Sequence, residues 1–252
     1  MKDALHFIFG LFGNITALAL FLAPMITFYK VKKRGSTEEF SGIPYALTTL
    51  NCLLYTWYGL PFITAHNILI VTVNGAGAAL EFFYVCAFLI YAPPNPRIQL
   101  MKILSGILGL FTIVAVISLF GLHHHNTRKL FVGSSATVVS VCMFASPFSS
   151  MRVVIRTKSV KYMPFFLSLC VFLCGTSWSV YGILAKDPFV AVPNTIGACL
   201  GLAQLVLYFI YRESGAPKSG GAEKITSEKF VETCGDKTLY IEANANMPNE
   251  TC

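Results

Sequence analysis

Apolar positions in this chain do not alternate with polar ones. They come in unbroken runs, separated by short polar or basic stretches, at about 5–29, 43–63, 68–91, 101–122, 130–151, 164–184 and 189–211. A run of about 20 apolar residues spans a bilayer as a helix, because in hydrocarbon the backbone satisfies its polar groups only within its own segment. The pattern therefore predicts an all-α integral membrane protein with seven transmembrane helices. Residues 212–252 break it: they are polar and rich in Gly, Ser, Glu and Lys, which predicts a disordered tail.

The pattern also repeats itself. "LAPMITFYKVKKRGST" and "ASPFSSMRVVIRTKSV" share a proline deep in an apolar run, a basic stretch and then a serine, with 12 residues from Pro24 to Ser36 and from Pro147 to Ser159. At the same offset of 123, Gly10 matches Gly133 and Tyr58-Gly59 matches Tyr181-Gly182. At an offset of 120, Pro44 matches Pro164, Asn74 matches Asn194 and Tyr91 matches Tyr211. Runs one to three and five to seven thus read as copies. The fourth run is nearly devoid of polar residues and has no partner, as a connector would. A three-helix copy followed by one more crossing brings the second copy in with the same orientation. This predicts two parallel repeats in a 3+1+3 arrangement, with a site at the bilayer midplane between them. The predicted organisation is a first repeat at 1–91, a connector with its loops at 92–123, a second repeat at 124–211 and the tail at 212–252.

Composition narrows the class. Only 12% of the residues are charged and 55% are apolar, against about 25% charged in soluble domains. The net charge of +7 does not point to nucleic acid. Lys30, Lys32, Lys33, Arg34, Arg97, Lys102, Arg152, Arg156, Lys158 and Lys161 lie in or beside alternate loops, and the remaining basic residues after the last run fall on the same side. Only Lys2, Arg128, Lys129 and Lys186 fall on the other. The positive-inside rule then predicts an outside N-terminus and a cytoplasmic tail. The first run reads as a retained span and not a signal peptide, being longer than a signal core, containing Asn14 and Pro24, and lacking an A-x-A site. Six of the cysteines lie inside apolar runs, where thiols act as small apolar groups. Cys170 and Cys174 share a helix face without a histidine, so no metal or other cofactor is expected. His123-His124-His125 reads as a solvated loop, and the sequon at Asn249 falls on the predicted cytoplasmic side, where it goes unused. No Ser-His-Asp, P-loop or metal motif appears, which argues against an enzyme. Seven spans with an outside N-terminus also fit a receptor, but the duplication does not, and the last run has no lysine to hold retinal.

A polar residue inside a membrane helix usually faces the bundle interior or a water path. Asn74 and Asn194 are repeat mates, each close to small residues (Gly75-Ala76-Gly77; Gly197-Ala198). Amides offer donors and an acceptor, so two facing amides can bridge several hydroxyls of a neutral solute; the alternative is a tie to a neighbouring helix. Trp178 and its mate Tyr55 offer aromatic faces that cover apolar C–H surface of a solute while a polar edge donates; packing and interfacial placement are the alternatives. Spacings of three to four put Leu20 with Ala17, and Met143 with Ser140, on one helix face before Pro24 and Pro147. Pro24, Pro44, Pro147 and Pro164 form two symmetric pairs, read as kinks inside their helices that act as hinges. Glu81 is the only acid deep in a run. It has no acidic mate, since Gly201 takes that place, and a hydrogen-bonded helix tie is favoured over a proton site.

"GNITALALFLAP", "STEEFSGIPY", "WYGLP", "TVNGAG", "TKSVKYMPF", "GTSWSVYG" and "DPFVAVPN", in this order and spacing, resemble the plant SWEET (MtN3/saliva) sugar transporters over about residues 5–211. The likeness is strongest to the members associated with glucose and other hexoses. The resemblance implies a bidirectional uniporter with a sugar as substrate, working by alternating access in the lipid bilayer. It implies that Asn74, Asn194 and Trp178 bind sugar, that Tyr55 stands where some relatives carry a small residue, and that Ala17, Leu20, Ser140 and Met143 line the pocket and limit sugar size. It also implies an inner gate at the four prolines and an outer gate at Tyr58 and Asp187, with Tyr181 as the mate of Tyr58. Many relatives add a lysine after the second run. Here that loop reads Ala65-His66-Asn67, so the latch is expected to be weaker or to use His66. The plasma membrane, with a vacuolar or other internal membrane as the alternative, and homo- or hetero-oligomers with other family members are further implications.

Overall fold

A computed structural model describes residues 2–38, 40–65, 67–161 and 163–212. His66, Asn249 and the predicted tail beyond residue 212 lie outside them. Among the described residues there are helices and no strands: α1 (Lys2–Leu22), α2 (Met25–Arg34), α3 (Ile43–Gly59), α4 (Ile68–Tyr91), α5 (Pro94–Val116) continued by a π-helical turn at Ile117–Gly121, α6 (His125–Met143), α7 (Ala145–Thr157), α8 (Phe165–Leu184) and α9 (Pro188–Tyr211).

Six stretches are long and apolar enough to cross a membrane, counting α1 with α2, α5 with its π turn, and α6 with α7 as single units. α3, at 17 residues, is the shorter seventh. At 1.5 Å per residue it rises about 26 Å, close to the hydrocarbon thickness of about 30 Å. The broken units explain where sequence and structure part. Pro24 has no amide to give the Leu20 carbonyl, which instead shares the Ala23 N–H with Ala19, and the helix restarts with Phe28 on the Pro24 carbonyl. The second copy breaks at Phe144, just before Pro147, and α7 continues the path. Both half-helices end in left-handed residues at repeat-mate positions, Gly35 (φ 68°) and Lys158 (φ 52°). α5 begins at Pro94, seven residues before its apolar run, because the proline pair suits a helix start and the first turns are amphipathic.

The four prolines do not all act alike. Pro44 occupies the first turn of α3 and Pro164 immediately precedes α8. Neither removes a bond the helix would otherwise make, so the expectation of four kinks inside helices is corrected to two, at Pro24 and Pro147. Pro193 lies inside α9, which runs unbroken through it.

Within the copies α4 packs on α1 and α3, and α9 on α6 and α8; across them α1 packs extensively on α8 and α3 on α6, while α5 packs outside on α3 and α4. Glycines set the closeness. A Cβ on Gly182 would lie 2.5 Å from the Ala191 nitrogen, one on Gly175 2.7 Å from Ala198 N, and one on Gly201 2.7 Å from Phe172 N. α8 and α9 therefore meet backbone to backbone, as small residues permit in membranes. Gly10 and Gly133, repeat mates, make room for Leu69 and Phe189, which are themselves mates.

Candidate functional site

One cavity of about 260 Å³ lies between the two copies, walled by α1, α3, α4, α6, α8 and α9 but not by α5. All eight residues singled out for substrate contact reach it: Ala17, Leu20, Tyr55, Asn74, Ser140, Met143, Trp178 and Asn194. Helical spacing explains the convergence, since 17 and 20, and 140 and 143, are one turn apart on one face.

Asn74 and Asn194 hold the same pose. Each amide donates to the carbonyl four residues back, Asn74 to Ile70 at 2.9 Å and Asn194 to Val190 at 2.8 Å. That bond uses one amide hydrogen. The other hydrogen and the carbonyl oxygen of each side chain are left to act on a solute. Each asparagine is thus held by its own helix, and neither of these bonds ties it to a neighbouring one.

The aromatic pair is less symmetric. The Tyr55 hydroxyl donates to the Phe189 carbonyl at 3.0 Å, so its phenol is occupied by the frame of α9 and does not donate to a solute from this pose. Ser140 Oγ lies 2.8 Å from Asn51 Oδ1 and 3.5 Å from the Tyr55 oxygen, building a polar strip across α3 and α6. Asn51 lines the cavity as well. It was missed because its mate at offset 123, Cys174, is not polar. Trp178 stands edge-on to Tyr181 with ring centres 5.1 Å apart, and its indole nitrogen lies against Gly13, where a Cβ would come within 2.9 Å.

At one end of the bundle the halves are latched. The Tyr58 hydroxyl lies 2.9 and 2.7 Å from the two Asp187 carboxylate oxygens, and both residues are buried. Asp187 also caps α9 by accepting from the Phe189 amide at 3.1 Å. A cation stands beside this carboxylate: Lys129 Nζ at the start of α6 lies 3.5 Å from Asp187 Oδ2. It comes from the second copy and not from the loop after α3. Tyr181 makes the matching contact in reverse, donating to Asn67 Oδ1 at 3.3 Å, with the His6 ring stacked on it at 3.9 Å. Asn67 is the mate of Asp187 at offset 120, a signal that would have found it. Each copy therefore reaches across to the other, one bond charged and one neutral.

Leu20 and Phe21 of α1, Met143 of α6 and Phe144 at the break after it line the cavity. The Tyr84 hydroxyl donates to the Phe21 carbonyl at 3.0 Å beside the Pro24 break. Glu81 is buried, and its Oε2 has no hydrogen-bond partner among the described residues. It does not line the cavity.

Comparison with known proteins agrees with this architecture. The profile of the MtN3_slv family, described as "Sugar efflux transporter for intercellular exchange", matches residues 7–96 and again 130–216. The chain is 58% identical to the bidirectional sugar transporter SWEET1 of Arabidopsis thaliana over 87% of this chain and 88% of that protein. It is 53% identical to SWEET1a of Oryza sativa subsp. japonica over 92% and 85% of the two chains, and 44% identical to SWEET3b of the same subspecies over 81% and 82%. A eukaryotic SWEET transporter of known structure superposes with a TM-score of 0.81 at 43% identity, covering 84% of this chain and 99% of the other. The chain is thus a multi-pass membrane protein of the MtN3/SWEET family, whose members are transporters and not enzymes.

Proposed function

We propose that this protein is a bidirectional, facilitative carrier of glucose and similar hexoses, working by alternating access around Asn74 and Asn194. The observation that carries the reading is the pair of repeat-mate amides, identically held, on one cavity with Trp178 and Tyr55 beside them. The cavity of about 260 Å³ lies just below the range of about 300–1,000 Å³ that holds drug-sized ligands, which suits one sugar ring better than two. A neutral solute carries no charge for the membrane potential to act on, so net flux follows the concentration gradient.

In this reading residues 1–91 and 124–211 are the two moving bodies, and residues 92–123 connect them. Tyr58, Asp187 and Tyr181 close the outer end, and the helix breaks at Pro24 and Pro147 let the inner end open, with Pro44 and Pro164 setting where the next helices begin. The basic loops support an N-terminus outside and a C-terminus in the cytoplasm, and the family likeness favours the plasma membrane over a vacuolar or other internal membrane. Association with further copies or other family members belongs to the same reading.

The test is radiolabelled glucose, fructose and sucrose flux into liposomes holding the purified protein, with and without a pH gradient. Gradient-driven glucose flux in both directions, indifferent to pH difference, is expected. Sucrose faster than glucose overturns the hexose assignment, and flux that requires the pH gradient overturns uniport.

A further inference from the structure

Beyond the Pro24 break, α2 turns a mixed stripe outward. Phe28 and Val31 are buried against the bundle. On the opposite side, Ile26, Tyr29, Lys30 and Lys33 fall at spacings of three, four and seven, which is one helix face. Ile26 is 69% exposed and Tyr29 71% exposed, and both lysines are exposed too. The stripe runs in order from an aliphatic side chain through an amphipathic aromatic ring to two cations. That order crosses a membrane boundary from acyl chains to headgroups, with the lysine stems lying along apolar surface and their ammonium groups beyond it. Arg34 is engaged by Glu38 at 2.6 Å, whereas Lys30 and Lys33 have no partner among the described residues.

The second copy keeps the device. Phe148, Arg152 and Arg156 of α7 are exposed while Met151 and Val154 are buried, and Arg152 and Arg156 stand at the positions of Tyr29 and Lys33. Topology alone asks for basic residues in these segments. It does not ask that two of them share a face with exposed Ile26 and Tyr29, or that the face lie opposite the packed one.

We propose that the Ile26–Tyr29–Lys30–Lys33 face of α2 binds anionic phospholipid headgroups, the two ammonium groups taking the phosphate and the ring lying at the headgroup level. Charge complementarity decides the occupant: a zwitterionic headgroup gives little to two unpaired cations, and a protein partner would have to compete with the bilayer that already meets Ile26 and Tyr29. Because α2 joins α1 only through the Ala23–Pro24 break, a headgroup held here engages the half of the helix beyond that break.

The full chain in detergent is mixed with phosphatidylglycerol or phosphatidylcholine of matched acyl chains, and retained lipid is counted by native mass spectrometry. The wild type should retain phosphatidylglycerol preferentially. At roughly fivefold per lysine, the Lys30→Gln/Lys33→Gln protein should bind it about 25-fold more weakly. Lys2→Gln/Lys186→Gln, which removes the same charge at the opposite end, should keep the preference. Tyr29→Ala should weaken retention of both lipids. Unchanged thermal unfolding with phosphatidylcholine present establishes that the double variant is folded, independently of any transport assay. A folded Lys30→Gln/Lys33→Gln protein that still prefers phosphatidylglycerol, or that loses self-association instead of lipid, overturns the assignment.

Discussion

In the proposed mode of binding, two side-chain amides recognise the hydroxyls of the solute. Asn74 and Asn194 each spend one hydrogen on their own helix and hold the rest of the group ready. Removing either leaves solute hydroxyls unpaired at about 1–3 kcal/mol per group. Asn74→Ala and Asn194→Ala should each lower glucose flux at least about tenfold while the protein still reaches the membrane; wild-type flux in either would remove the proposed site. Met143 bounds the same space. Overfilling a packed site costs about 1–3 kcal/mol, so Met143→Val should raise the sucrose-to-glucose initial-rate ratio at matched expression, and an unchanged ratio would mark Met143 as packing alone. At this scale the sequence was most legible where residues came in matched pairs. Asn51, next to Ser140, stood outside any polar pair, and Lys129, beside Asp187, has His6 as its mate at offset 123, a pair whose part became visible only when the helices were in place.

The helices divide into those that must stay close and those that must break. Gly182 belongs to the first kind, because a Cβ there would meet the Ala191 backbone at 2.5 Å and the neighbour has no flexible end to give. Gly182→Ala should lower the unfolding temperature of the detergent-solubilised protein, at a cost of about 1–3 kcal/mol. Gly106→Ala on the outer face of α5, where nothing lies within 4 Å, should be neutral or slightly stabilising. Pro24 and Pro147 belong to the second kind. Alanine at either restores a helical bond across the break, so exchange should fall while equilibrium glucose binding persists. Pro44→Ala and Pro164→Ala should affect exchange less, since each stands at a helix start. Binding and exchange falling in parallel for Pro24→Ala would show that the break maintains the fold and does not serve the cycle.

For the whole molecule the question is how the halves exchange one closed end for the other. The Tyr58–Asp187 bond is charge-assisted, worth about 1.5–3 kcal/mol, and its neutral counterpart Tyr181–Asn67 is longer at 3.3 Å. Tyr58→Phe should therefore open the latched end more often than Tyr181→Phe. The measurement is maleimide labelling of a cysteine placed at Thr137, in a background with all eight native cysteines replaced. Equal labelling of the two variants would mean that the charge on Asp187 does not set the closed state. Glu81 supplies the last check. It is 4% exposed and away from the cavity, so a proton there does not share a site with the solute. Glu81→Gln should keep glucose flux, and a protonophore should not collapse it in either protein; loss in both experiments would support proton coupling.

The chain's own order of residues was enough for the bundle of membrane helices and the duplication, and the family resemblance it carries pointed to eight of the residues that line the cavity. The first two rest on composition and spacing, which hydrocarbon enforces without reference to neighbours: an apolar run forms a helix. Repeat arithmetic then paired Asn74 with Asn194 and Pro24 with Pro147. It did not distinguish a proline that breaks a helix from one that begins it, because that depends on where the preceding chain turns. Nor did it reveal that Lys129 supplies the cation at Asp187, that the Tyr55 hydroxyl is taken by Phe189, or that Asn67 answers Tyr181. Those contacts join residues 58 to 134 positions apart in the chain, and no local propensity records which side chains meet once six helices close around one cavity.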